Sequence, residues 1–272
     1  MAPALAHVIE VAHALWPLSG AEEWDAPGLV VGDPSADVEA IHLAVDAVAD
    51  TVDEALDRRA QLLLTHHPLL LRGVTSVAED RSKGAIVARL IRGGCALLAA
   101  HTNADVVADG TSAVLARRLG LHDVAPLVPS SIDAAQGLGR VGELDAPMTL
   151  GDLARGLQEI LPATAQGIRG AGDYFGEVRR IAVCAGAGDS LLANPAVRAA
   201  DVYITSDLRH HPASEAREDA RLSGGPALLD ISHWAAEWLW LDVAAAALRE
   251  ALPDVTVTVS ELRTDPWDFA LV

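Results

Sequence analysis

Gln61-Leu62-Leu63-Leu64-Thr65-His66-His67-Pro68 is the stretch on which the reading of the chain turns. Three leucines without polar alternation form the pattern of a strand buried on both faces, and Pro68 prevents a helix from beginning on the histidines. Both imidazoles therefore stand at a strand tip. Ligands of open α/β sheets bind along that edge, and neutral imidazole is the commonest protein metal ligand. Histidines in such a place can also be satisfied by hydrogen bonds alone, so the flanking sequence has to decide.

Upstream, Ile41–Val45 has the pattern of a strand, and Thr51-x-x-Glu54 is a capping box opening a helix through Arg59, which makes a βαβ unit with the leucine strand. Downstream, a helix from Ser82 places Ile86, Val87, Leu90 and Ile91 on one side and stops at Gly93-Gly94 before a strand from Cys95 to Ala100. Strands joined through helices are expected to run parallel, so their tips share one edge. The Cys95 strand also ends on a histidine, His101, with Asp105 four residues on. Before all of this lie an amphipathic helix, Ala4 to Trp16, and an acidic turn in which Trp24 and Asp25 either line a site or make a structural corner.

Residues 126–139 lack periodicity and suit a boundary, after which a second α/β unit follows. Arg140–Leu144 and Val178–Cys184 read as strands, with a helix capped by Thr149-x-x-Asp152 between them. The glycine turn Ala185–Ser190 reads as a tight turn rather than a phosphate loop, because it has no Walker lysine. The strand Asp201–Ile204 runs into Thr205-Ser206-Asp207-Leu208-Arg209-His210-His211. A last strand, Ala227–Ile231, leads to Ser232 as N-cap and a helix from His233 to about Ala251, with His233 and Glu237 one turn apart.

Composition narrows the function. A chain of 272 residues, 51% hydrophobic, can bury a substantial core. A formal net charge of -18 and a single lysine, Lys83, argue against a nucleic-acid-binding face. Cys95 and Cys184 lie in apolar runs and read as buried thiols of a reducing compartment, which makes the cytoplasm the expected location. No basic n-region and no run of about 20 strongly apolar residues supports export or membrane spanning.

Three strand ends thus carry His66-His67, His101 with Asp105, and His233 with Glu237. Four imidazoles and two carboxylates suit a pair of divalent ions that share carboxylates and keep positions open for water. In Trp24-Asp25-x-x-Gly28-Leu29-x-Val31-Gly32-Asp33, Leu64-Thr65-His66-His67-Pro68, Ala100-His101-Thr102-Asn103-x-Asp105, Asp201-Val202-Tyr203-Ile204-Thr205-x-Asp207 and His233-x-x-x-Glu237, the chain resembles the NIF-three-like dinuclear metal-centre family, also described as GTP cyclohydrolase I type 2 homologues. The resemblance implies an α/β fold of two interlinked lobes, with mixed or parallel sheets flanked by helices, in a short form without an inserted domain. One lobe, 1–128 with 226–272, carries the metal site and the other is 129–225. It further implies two divalent ions (Zn, Fe, Mn, Co or Ni) on His66, His67, His101, Asp105, His233 and Glu237, with Asp105 and Glu237 bridging, and a toroidal homohexamer.

By the same resemblance the activity is metal-dependent hydrolysis, with a nucleotide such as GTP as a possible substrate. Asp207 and His211 are then the candidates for proton transfer or for orienting the ligands. Arg72 and Arg209, backbone amides or the metals would have to recognise phosphate. The chain departs from the family pattern at Ala26, Ser206 and Ser232, where Asn, Gly and Gly are common, which bears on substrate rather than on the ligands. A non-enzymatic, metal-stabilised scaffold would use the same ligands.

Overall fold

The leucine run forms a strand, Leu62–Thr65, with all four residues buried. Each leucine is 0% exposed, and full burial of such a side chain stabilises the fold by about 1.5–3 kcal/mol. The computed structural model describes residues 2–271. The chain divides into two units: one runs to Val107 and resumes over Leu241–Thr264, and the other comprises Ala108–Trp240 and the residues from Asp265 onward.

In the first unit the elements are α1 (Leu5–Leu15), β1 (Gly28–Val31), β2 (Ala40–Ala44), α2 (Ala49–Asp57), β3 (Leu62–Thr65), α3 (Ser82–Gly93), β4 (Ala96–Ala99) and α4 (Thr102–Asp105). The second contributes α5 (Thr111–Arg118), β5 (His122–Ala125), β6 (Val128–Pro129), β7 (Gly137–Leu138), β8 (Arg140–Thr149), α6 (Leu150–Ile160), β9 (Arg169–Ala171), β10 (Glu177–Ala187), α7 (Pro195–Arg198), β11 (Val202–Ser206), α8 (His210–Ser223) and β12 (Ala227–Ile231). Helix α9 (His233–Ala251) carries the chain from the second unit back to the first, which β13 (Thr256–Val259) completes.

The sheet of the first unit has the order β1-β4-β3-β2-β13. β2, β3, β4 and β13 are parallel, as the βαβ pattern requires, while β1 is an antiparallel edge on β4. On one face Leu63, Leu97 and Ala44 pack with Val52, Ala55, Ile86 and Leu90 from α2 and α3. The tips of β2, β3 and β4 therefore lie side by side. Thr51 is not the N-cap: it sits inside α2, accepts the Val48 N–H at 3.1 Å and donates to the Asp46 carbonyl at 2.7 Å. Glu54, the other half of the expected capping box, turns instead to buried His42, 3.0 Å away.

In the second unit the order is β5-β8-β10-β11-β12-β9, with β10, β11 and β12 parallel and the others antiparallel. Thr149 caps α6 by accepting the Asp152 N–H at 3.0 Å, as the sequence indicates. Helix α8 was not anticipated. None of its residues is fully buried, only small side chains such as Ala213 and Ala216 pack from it against the core, and Pro212 falls in its first turn, where proline is tolerated. The expected boundaries were 128/129 and 225/226, and the units divide at 107/108, 240/241 and 264/265. Helix α5 belongs with the second unit, where Ser112 Oγ accepts the Ala185 N–H at 3.0 Å. Among the described residues, no helix is long and apolar enough to cross a membrane.

Candidate metal centre

The parallel β2-β3-β4 arrangement places His66-His67, at the tip of β3, beside His101, at the tip of β4. Ring centroids lie 5.2 Å apart for His66–His67 and His66–His101, and 5.6 Å apart for His67–His101. One ring nitrogen from each of the three lies within 4.8 Å of the others. Asp105, one helical turn beyond His101, brings Oδ1 to 3.7 Å from His66 Nε2, beyond hydrogen-bonding distance.

Each imidazole is held by its Nδ1. That of His66 lies 2.9 Å from the Ala100 carbonyl, an acceptor only, so the Nδ1 carries hydrogen and the lone pair resides on Nε2. His67 Nδ1 lies 2.7 Å from Asp46 Oδ1, and His101 Nδ1 2.8 Å from Asp25 Oδ1. Rings fixed this way present Nε2 as the ligand nitrogen, the arrangement by which outer carboxylates orient metal-binding histidines.

The Asp25 side chain is fully shielded from solvent. Its Oδ1 also accepts the Ala26 N–H at 2.7 Å, and Oδ2 accepts the Thr102 N–H at 3.0 Å and hydroxyl at 2.5 Å. Burial pushes the carboxyl pKa up, but the hydrogen bonds from His101 and Thr102 outweigh it and hold the group well below the usual carboxylate range. Of the two sequence readings, lining a site and turning a corner, Asp25 does both. Neighbouring Trp24 is exposed and meets the His101 ring edge-on at 5.8 Å.

The second unit holds the other pair. Ser232 Oγ accepts the Ala235 N–H at 3.2 Å and so caps α9 as expected. His233 and Glu237 follow on its first turn, with Nε2 to Oε1 at 2.9 Å. His233 Nδ1 lies 2.7 Å from Asp207 Oδ2. Burial would lower the His233 pKa, yet Glu237 and Asp207 together raise it well above the ordinary value. An imidazole between two carboxylates holds its proton tightly. Asp207 is thus an orienting group, reached from the tip of β11 by a backbone φ of +57°, which aspartate tolerates better than most residues.

The glycine turn bears on this pair. A Cβ at Gly186, whose φ is +83°, would come within 2.7 Å of Glu237 Oε1 and 3.5 Å of His233 Nε2. The backbone is bare there so that the carboxylate can lie against it. His211 stands exposed at the start of α8, its ring edge-on to His210 at 5.2 Å. Arg209 is committed to Asp189 at 2.5 Å. Asp46 escaped the sequence reading. The one signal for it was an acid just past the tip of the Ile41–Val45 strand, and only the sheet order shows that this strand adjoins the histidine pair.

Strand-tip histidines backed by a carbonyl and by carboxylates give this α/β protein a group of side chains that could hold a metal ion. The family model of Duf34/NIF3 (NGG1p interacting factor 3) matches residues 3–266, and the chain belongs to that family. It is 50% identical over 271 residues to a Streptomyces coelicolor protein named GTP cyclohydrolase 1 type 2 homolog, covering 97% of this chain and 94% of that one. A Mycobacterium leprae protein of the same name is 34% identical over 376 positions, covering 99% and 96%. Beside that relative, this chain of 272 residues is a short form. Two solved structures share the fold. One, a Bacillus cereus protein related to NIF3, has a TM-score of 0.90 at 22% identity, covering 99% of this chain and 100% of its own. The other, a hypothetical protein of Staphylococcus aureus, has a TM-score of 0.87 at 26% identity, covering 98% and 99%.

Proposed function

We propose that the chain is a metal-dependent hydrolase with a dinuclear centre, for which His66, His67, His101, Asp105, His233 and Glu237 are the ligands. The observation that carries this reading is that the Nδ1 of each of these four histidines is bonded to a carbonyl or carboxylate. Such bonding fixes the tautomer and the ring plane, which a metal ligand needs and a histidine buried only for packing does not. The donor set of imidazole and carboxylate fits Zn, Fe, Mn, Co or Ni. When bound, a divalent ion supplies Lewis acidity that lowers the pKa of its water to about 7.

The chain's own residues do the remaining work. Asp25, Asp46 and Asp207 keep the rings aimed. His211, exposed near the β11 tip, is the group offered for proton transfer. The relatives' shared name makes a purine nucleotide the first substrate to try. With Arg209 already paired to Asp189, phosphate recognition falls to Arg72, to backbone amides or to the metal site. Homohexameric assembly belongs to the same reading. So does a cytoplasmic setting, in keeping with the Cys95 thiol, which burial pushes up to about 11 and so keeps protonated.

Protein stripped of metal and reloaded with each of the five ions tests the proposal. Elemental analysis is expected to give two ions per chain, native mass spectrometry six chains, and assays against GTP, phosphoesters and cyclic amides a turnover that His67→Ala abolishes. Two retained ions without turnover on any of these substrates would assign the centre to a scaffold instead.

A further inference from the structure

Thr264 and Asp265, in the segment after β13, touch the supports of both ligand sets. Within the first unit, the Thr264 hydroxyl donates to Asp46 Oδ2 at 2.5 Å, while Oδ1 of the same carboxylate lies 2.7 Å from His67 Nδ1. Within the second unit, Ser232 Oγ donates to Asp265 Oδ2 at 2.5 Å. Asp265 is only 9% exposed, and its Oδ1 accepts the Trp267 N–H at 3.1 Å. Ser232 is the N-cap of the helix whose first turn carries His233 and Glu237. Two consecutive residues thus each stand one hydrogen bond behind a group that aims or caps a ligand set.

We infer that Thr264 and Asp265 are positioning residues for metal binding, Thr264 through Asp46 to His67 and Asp265 through the cap of α9. This rests on the metal-binding reading above. An aspartate gripped at one oxygen can still swing about its last side-chain torsion. Gripped at both, Asp46 has a fixed carboxylate plane, and with it the plane of the His67 ring. Asp46 is 23% exposed, so without Thr264 water takes the second oxygen and the grip loosens. Partners directly behind ligands are worth about 10- to 100-fold in metal affinity. One bond further out, the effect should be smaller, about 3- to 10-fold.

The test is zinc affinity of the full chain by chelator competition, in Thr264→Val, Thr264→Ser and Ser260→Ala. Ser260 lies on the same segment but donates to Glu54 at 2.5 Å, away from Asp46. Thr264→Val should weaken zinc binding about fivefold and reduce the Nδ1–H tautomer of His67 in the metal-free protein, read by long-range ¹⁵N NMR. Thr264→Ser should stay within twofold of the parent, and Ser260→Ala should lower the urea midpoint without moving affinity. Parental zinc affinity and an unchanged His67 tautomer in Thr264→Val would overturn the inference, as would an equal loss in Thr264→Ser. Asp265→Ala, which removes the acceptor for the Ser232 hydroxyl, decides the matter if Thr264→Val does not fold: an affinity loss of threefold or more supports the inference and an unchanged affinity overturns it. If the parent protein takes up no zinc, the metal reading fails, while the His67 tautomer still reports on Thr264.

Discussion

Asp25→Asn changes a single atom of the carboxylate and forces a choice. Oδ1 accepts from His101 Nδ1 and from the Ala26 N–H, and Oδ2 from the Thr102 N–H and hydroxyl. An amide has one oxygen, so it can serve only one of these pairs. If the oxygen faces His101, the Thr102 N–H is stranded in a buried place, since Thr102 is 5% exposed, at a cost of about 1–3 kcal/mol. If it faces Thr102, the Ala26 N–H loses its partner, but Ala26 is exposed and water replaces the bond. The second arrangement therefore wins. It turns the amide NH₂ toward His101, whose Nδ1 must then accept, and the ring hydrogen moves to Nε2, the nitrogen that the proposed function assigns to metal.

Two consequences can be measured. The bonds that survive are no longer made to a charged acceptor, and exchanging about 1.5–3 kcal/mol for 0.5–1.5 kcal/mol in each of two bonds predicts a loss of about 2 kcal/mol in urea unfolding. Zinc affinity should fall about 10- to 100-fold, as for other residues directly behind ligands. The stability the carboxyl contributes also carries a sign: because its folded pKa is depressed, that contribution is present above the unfolded carboxylate value and is lost as pH falls through the folded one. The Asn variant should therefore show a shallower acid limb. Long-range ¹⁵N NMR should find His101 protonated at Nε2. Parental zinc affinity with His101 still protonated at Nδ1 would refute the reasoning.

Three further outcomes are expected. Gly186→Ala and Gly224→Ala impose similar backbone strain at φ +83° and +78°, but only the first meets an obstacle, Glu237 Oε1 at 2.7 Å; both should lose about 1 kcal/mol or more of stability, and calorimetric titration should find weakened metal binding in Gly186→Ala alone. His42, buried between Thr258 at 2.8 Å and Glu54 at 3.0 Å, has its pKa lowered chiefly by burial, against the pull of Glu54. Its contribution is full above the unfolded value near 6.5 and declines as pH falls through it, by up to about 1.4 kcal/mol per pH unit, so His42→Gln should flatten denaturation midpoints between pH 7 and 5; an unchanged slope counts against it. His211→Ala should retain two ions by elemental analysis and lose at least tenfold in kcat on whichever substrate turns over, whereas loss of metal would place His211 among the ligands.

The sequence made the strand tips legible because hydrophobic runs and their terminating residues are local properties. Leu62–Leu64 could be read as a buried strand, and His66, His101 and His233 as residues just past strand ends, without knowing which strand lies beside which. Sheet order is not local. That β2 lies next to β3 is settled by packing among α2, α3 and the sheet, and only then does Asp46 come within reach of His67. Thr264 depends on the same information at one remove, since the register of β13 against β2 decides which residue of the following segment arrives at that carboxylate. Thr51-x-x-Glu54 misled for a related reason: the pattern is local, but buried His42 and the Ser260 hydroxyl, both distant in sequence, offer Glu54 partners that take its carboxylate away from the helix end. The candidate ligands were therefore readable wherever a strand merely had to stop, and Asp25 and Asp207 stood out in motifs of their own, whereas Asp46 was hidden because it follows a different strand from the histidine it holds.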